Sequence, residues 1–189
     1  CYSGRYECEF SNHQVFYLSE GSFAVMGTKY LPSFFSFPLK KCFAFSLVID
    51  IQSLSSNSIQ LLDSFDLNIN KISEHLRLDE NGYLCHAGKE LGHIFSEIYE
   101  AKDINDISYF RIKAIEFLFR INKFSHDENQ SFQYYDKKYI QKAKEICNYM
   151  IEHLDEKVSL RQLTAEKDFN LSLFHKVFTQ IYGDTPYAY

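Results

Sequence analysis

Residues 158–189 read VSLRQLTAEKDFNLSLFHKVFTQIYGDTPYAY, and the spacing of apolar side chains along this stretch decides the architecture of the C-terminal part. Ser159-Leu160-Arg161-Gln162 is a capping-box sequence, which predicts a short helix with Leu160, Leu163 and Thr164 facing inward. At Asp168-Phe169-Asn170 the chain turns a corner. Asp tolerates left-handed backbone, Phe169 supplies an apolar plug, and Asn170 caps the next helix. That helix runs to about Tyr182, with Phe174, Phe178 and Ile181 inward and Gly183 where a helix stop belongs.

Just upstream, Asp136 is placed to cap a longer helix. Its apolar positions Tyr139, Ile140, Ala143, Ile146, Cys147, Met150, Ile151 and Leu154 repeat at i, i+3, i+4 and i+7, and Asp155-Glu156-Lys157 interrupts the pattern. A long helix, a short one, a tight corner and a third helix with a polar outer face is how a helix-turn-helix enters a major groove. The apolar spacing alone also fits an ordinary three-helix bundle. On the groove-binding reading, Ser172, His175 and Lys176 share one face and are the expected base readers. Thr179, one turn further, is an expected phosphate contact, and Asn170 joins the DNA-binding set at the start of the helix.

Working outward, Ser125 to Gln133 is a polar run crossed by no apolar periodicity, and residues 125–135 are expected to be a linker. Before it, Ile107 to Phe124 predicts a helix with two apolar stripes. Phe110, Ala114, Phe117, Leu118 and Ile121 lie on one face, and Ile112, Ile115 and Phe119 form a second that predicts a homodimer contact, the alternative being a helix buried within one subunit. His86 to Ala101 predicts another helix, with Leu91, Ile94, Phe95 and Ile98 inward. The first fifty residues read as strands. Tyr6, Cys8 and Phe10 alternate with Arg5, Glu7 and Glu9, and Phe43, Phe45, Leu47 and Ile49 alternate with Ala44, Ser46, Val48 and Asp50. Turns are expected at Ser11-Asn12-His13 and Glu20-Gly21-Ser22, and edges or loops at Pro32 and Pro38. The fold class expected is therefore α+β: an N-terminal antiparallel β domain followed by helices over 1–124, then an all-α helix-turn-helix domain over 136–189.

The chain has 189 residues and is 46% hydrophobic, enough for a sizeable core. Its apolar runs are too short for a transmembrane helix, and no signal peptide is legible ahead of the first strand, so a water-soluble cytoplasmic protein is expected. A start at Cys1 rather than Met suggests that the true start lies upstream. The five cysteines, Cys1, Cys8, Cys42, Cys85 and Cys147, are scattered without a C-x-x-C and fit buried thiols in a reducing compartment. The net charge of −5 is uneven: residues 136–189 hold eight basic and eight acidic side chains, so the whole excess of negative charge lies upstream. A neutral DNA-binding segment implies modest nonspecific attraction to phosphates and a need for a dimer or a second DNA-contacting unit. No metal or cofactor is expected. His13, His75, His86, His93, His126, His153 and His175 are dispersed, and no phosphate loop, nucleophile elbow or catalytic carboxylate pair is visible, so no enzyme is expected.

The run from Val158 to Tyr189 resembles the first helix-turn-helix of the AraC family. Leu160, Leu163, Thr164, Phe169, Asn170, Phe174, Phe178, Gly183 and Pro186 fall in register without a gap. Asp168 stands at the family's corner glycine, Thr164 where Ala is common, and the reading helix is poorer in Arg and Lys than is usual. The family's DNA-binding unit has two such motifs, and this chain stops after the first. Upstream, CYSGRYECEF, VFYLSEGSFAV and FPLKKCFAFSLVID are similar to the cupin-like sensor domain of the subgroup that includes siderophore-responsive regulators.

The resemblance implies a sequence-specific transcription regulator that binds double-stranded DNA as a homodimer, responds to a small-molecule effector, and has RNA polymerase as a further candidate partner. The aromatic set Tyr2, Tyr6, Phe16, Phe23, Phe35, Phe37, Phe43 and Phe45 is either an effector pocket inside the sheet or ordinary core. The alternatives are a cupin-like small-molecule binding protein or isomerase without DNA binding, and a module that only pairs with other copies.

Overall fold

A computed structural model describes residues 1–79, 82–104, 106–124, 133–155 and 159–189. In chain order its strands are β1 (Ser3–Glu9), β2 (Gln14–Ser19), β3 (Ser22–Val25), β4 (Phe34–Ser36), β5 (Cys42–Phe43), β6 (Tyr83–His86) and β7 (Tyr135–Asp136). The α-helices are α1 (Ser56–Asp63), α2 (Ile69–His75), α3 (Gly88–Glu100), α4 (Ile107–Ile121), α5 (Lys137–Glu152), α6 (Leu160–Glu166) and α7 (Leu171–Tyr182). The fold class is mixed α and β with antiparallel sheets. Among the described residues no helix is long and apolar enough to cross a membrane.

The chain divides into two compact units, and they are interleaved in sequence. One comprises Cys1–Ser3, Glu20–Leu31 and Phe43–Phe132; the other comprises Gly4–Ser19, Pro32–Cys42 and Gln133–Tyr189. Division at 124 and 136 was the expectation for the whole chain, but most of β1, with β2 and β4, clusters with the C-terminal helices. Of the expected linker 125–135, residues 125–132 lie outside the described residues, and Tyr135 is part of a strand.

In the first unit β3 pairs antiparallel with β6, Phe23 opposite Cys85 and Val25 opposite Tyr83. The expected inward residues of α3, Leu91, Ile94, Phe95 and Ile98, are all buried, and with Phe23, Leu67, Ile72, Leu76 and Tyr83 they make one core. Side-chain caps start three of its helices: Ser55, Asn68 and Asp106 each accept from backbone N–H groups of α1, α2 and α4. Helix α4 turns Leu118 and Ile121 into the core and leaves Ile112 and Phe119 on the surface, so the buried-helix alternative does not hold. The strand expected over Phe43–Asp50 is cut short. Only Cys42–Phe43 is strand, and 44–50 runs on without regular structure, although Ala44, Ser46, Val48 and Asp50 keep the exposed face that alternation assigns them.

In the second unit the sheet order is β4-β1-β2-β7, with β5 also pairing with β1. The β1–β2 hairpin turns at the expected site. His13 is left-handed at φ 63°, and the Asn12 side chain accepts from the Gln14 backbone N–H. The strands of the described residues close no barrel. The expected aromatic set is divided, with Tyr2, Phe23, Phe43 and Phe45 in the first unit and Tyr6, Phe16, Phe35 and Phe37 in the second.

The polar side chains of β1 are engaged by the rest of the second unit. Glu7 is only 7% exposed; Lys144 of α5 donates to both of its carboxylate oxygens at 2.9 and 2.7 Å, and the Tyr17 hydroxyl also donates to it. Burial and the neighbouring Glu7 carboxylate push the Tyr17 phenol far above its ordinary value, so it stays a donor. Glu9 takes Lys137 at 2.7 Å. The Arg5 guanidinium donates to the Gln180 carbonyl near the end of α7 at 2.8 Å, where a cation also suits the helix dipole. Residues of α5 and α7 meet all three of these side chains.

Candidate nucleic-acid interface

Helices α5, α6 and α7 are held by one core, in which Ile140, Ala143, Ile146 and Cys147 of α5 meet Leu160 and Leu163 of α6 and Phe174, Val177, Phe178 and Ile181 of α7. Asp136 caps α5 as expected, its carboxylate accepting from the Lys138 backbone N–H. The inward stripe ends sooner than its periodicity implies. Ile151 is exposed and Leu154 falls beyond the end of α5 at Glu152, where helical geometry no longer turns it inward. Of the expected break, Glu156–Val158 lie outside the described residues.

Helix α6 starts at Leu160 with Ser159 in the cap position, but the capping box is not formed. The Gln162 N–H that the Ser159 hydroxyl would have taken bonds the Ser159 carbonyl instead, at 2.9 Å, in a tight first turn. Thr164 is buried, and its hydroxyl donates back to the Leu160 carbonyl at 3.0 Å, so a polar side chain is satisfied at this inward position.

The corner has the predicted form. Asp168 is left-handed at φ 47°, Phe169 is buried between the rings of Tyr139 and Phe174, and the Asn170 side chain accepts from the Leu173 backbone N–H at 3.0 Å. Lys142 of α5 donates to the Asp168 carbonyl at 3.1 Å and ties the corner to the long helix. Helix α7 then buries Phe174, Val177, Phe178 and Ile181 completely and stops at Gly183, left-handed at φ 91°. A Cβ there would approach the Arg5 guanidinium to 3.0 Å, a second reason for glycine at this stop.

Of the five expected site residues, Ser172, His175, Lys176 and Thr179 lie along one side of α7, away from its buried face. Ser172 and Lys176 are exposed, His175 and Thr179 half-buried. Asn170 is a little apart, because its side-chain oxygen is committed to the helix cap. The His175 ring packs against those of Phe174 and Tyr187, which fixes its direction.

His175, Lys176 and Thr179 line an open groove together with Tyr135 of β7 and Thr185 beyond the helix; Gln133 and Gln180 complete it. Ser172 is not part of the groove. Sequence reasoning missed Tyr135, Gln133, Gln180 and Thr185, since two of them fell in the segment assigned to the linker and nothing in α7 announces its neighbours.

The electrostatics of this face depend on which cations are spoken for. Lys137, Lys138, Lys144 and Lys167 pair with Glu9, Asp136, Glu7 and Glu145. Among the described residues Arg161 and Lys176 take part in no such pair, and neither do the acids Glu166 and Asp168.

The first unit has a second concavity of about 250 Å³, lined by Phe45, Leu47, Ile98, Phe110 and Phe117, with Lys113 at its polar end. Lys113 is held by Glu97 and by Glu116 at 2.9 Å, and Glu116 also takes His93 at 3.1 Å. Among the described residues no group of three or more His, Cys, Asp or Glu side chains is arranged to hold a metal ion. Comparison with family models, curated proteins and solved structures found no match to this chain.

Proposed function

We propose that this chain is a sequence-specific DNA-binding transcription regulator of the AraC type, with α6 and α7 as its helix-turn-helix and α7 as the reader. The observation that carries the reading is the corner: a left-handed Asp168, a buried Phe169 and a capped α7 hold the polar stripe Ser172, His175, Lys176 and Thr179 away from the core. The unpaired Lys176 and Arg161 support it, since phosphate attraction needs cations that no carboxylate has neutralised. Ser172, His175 and Lys176 are assigned to base edges, where a good contact discriminates by about 1–3 kcal/mol. Thr179 is assigned to the backbone. A small-molecule effector is assigned to the concavity lined by Phe45, Phe110 and Phe117, and pairing of two copies to the outer stripe of α4. The cupin-like character of the sensor rests on the N-terminal sequence phrases alone. A cytoplasmic setting with RNA polymerase as downstream partner completes the proposal.

Binding selections from a random-sequence duplex library test the reader. Lys176→Ala should relax preference at one or two operator positions, while Thr179→Ala should weaken all sequences about equally. An unchanged profile for His175→Ala with Lys176→Ala would exclude α7 as the reader.

A further inference from the structure

The groove beside α7 has a chemical bias that base reading does not use. Its lining side chains are a lysine, a histidine, two threonines, two amides and a phenol, and none is a carboxylate. All can donate a hydrogen bond, which suits an anionic oxygen better than any neutral partner. Of the two acids adjacent in sequence, Asp136 pairs with Lys138, and Asp184 is exposed and does not line the groove.

Tyr135 supplies an independent sign of a ligand. The residue is 6% exposed, and its hydroxyl is buried without a hydrogen-bond partner among the described residues. Buried polar groups in folded proteins are almost always satisfied, so an unspent donor on a residue that lines a donor-rich groove calls for an acceptor from outside. Burial pushes the Tyr135 phenol above its ordinary value, and it therefore keeps its proton. Gln133 and Thr185 line the same groove, are exposed and belong to no helix or strand.

We propose that this groove seats one backbone phosphate of the bound duplex, with the Tyr135 hydroxyl as its inner donor and Thr179 and Thr185 as its walls. The assignment rests on the DNA-binding reading and deepens it. Phosphate contacts set the register of a protein on a duplex, so a phosphate fixed here would determine which base edges Ser172 and His175 meet.

Tyr135→Phe is the decisive variant because it keeps the ring in the core and removes only the unspent donor. A hydroxyl that serves no internal bond can be lost without harm, so the variant should melt no lower than the parent chain. Anisotropy of the full chain with a short mixed-sequence duplex should then show binding weakened by about tenfold, to a similar degree for every sequence. Thr185→Val should act in the same direction. Unchanged duplex affinity in Tyr135→Phe overturns the proposal; if His175→Ala with Lys176→Ala still alters sequence preference, the DNA-binding reading stands without the seat.

Titration of the isotopically labelled chain with inorganic phosphate separates the remaining source. Shifts at Thr179 and Thr185 that vanish in Tyr135→Phe, in a chain that binds no duplex, would assign the groove to a free phosphorylated molecule and overturn the backbone assignment together with the reading beneath it. Neither duplex binding nor phosphate shifts would overturn both.

Discussion

Helices α4 and α7 both repeat apolar residues at helical spacing, and they differ on the side turned away from the core. In α7 the inner side chains Phe174, Val177, Phe178 and Ile181 are completely buried, and the outer stripe is Ser172, His175, Lys176 and Thr179. In α4 only Leu118 and Ile121 are buried, while Ile112 and Phe119 are 62% and 39% exposed on the outer side. Periodicity alone announces a helix and its core face. What meets the other face is written in its chemistry: donors and a cation suit a polyanion in water, and exposed branched and aromatic side chains suit another apolar surface.

The difference in burial gives the largest expected effect. Phe178→Ala removes a completely buried ring that contacts Phe174 and Tyr182, and should cost about 3–5 kcal/mol in urea denaturation. Ile112→Ala on α4 should stay within about 0.5 kcal/mol, as surface truncations do. Similar losses for the two variants would erase the contrast between the helices.

A second contrast lies between Lys144 of α5 and Lys113 of α4. Lys144 serves a buried carboxylate. Lys144→Met leaves Glu7 with only the Tyr17 and Ser36 hydroxyls, and should cost about 2 kcal/mol, less than a fully enclosed pair because the Lys144 side chain is 35% exposed. Lys113 serves two partly exposed carboxylates, so Lys113→Met should cost no more than about 1 kcal/mol and less at high salt.

The Lys113 cluster also has a pH signature. Hydrogen bonds to Glu97 and Glu116 raise the Lys113 ammonium above its ordinary value, so its contribution is complete below that value and lost as pH rises through the raised one. Lys113 and then His93 hold Glu116 below the ordinary carboxylate range; its contribution is complete above that range and lost as pH falls through the lowered value. The stability gap between the parent chain and Lys113→Met should therefore narrow in acid below about pH 4. A gap that widens in acid would contradict this pairing.

These contrasts also mark what the sequence made legible. Helices α3, α4, α5 and α7 were readable because each repeats apolar residues over at least three turns, and the corner and the stop of α7 because Asp168, Phe169 and Asn170 in the one and Gly183 in the other each have a local reason for their place. Strand β6 was not readable, since four residues are too few for alternation to stand out. The surroundings of β1 were hidden for a different reason. Alternation separates Glu7 from Cys8 but does not say that a lysine 137 residues later will meet the carboxylate. The same gap concealed Tyr135, whose role depends on α7 and Thr185 lying beside it in space. Local chemistry was visible along the chain; long-range partners were not.

The smallest expected effect on the fold belongs to the outer stripe of α4, and it tests the other half of the comparison. Ile112 and Phe119 lie one face apart from Leu118 and Ile121, and Lys123 sits over the Phe119 ring at 4.2 Å, covering it only in part. Neither Ile112 nor Phe119 is a buried core residue, so replacing both by Glu should change the unfolding free energy by no more than about 0.5 kcal/mol. If this stripe joins two copies, the same double variant should sediment as a folded monomer at concentrations where the parent chain is a dimer, because two carboxylates would have to be desolvated in the joint. A parent chain that is itself monomeric would remove the dimer from the proposal. An unfolded double variant would place the stripe in the core, and the contrast between α4 and α7 would then be one of degree.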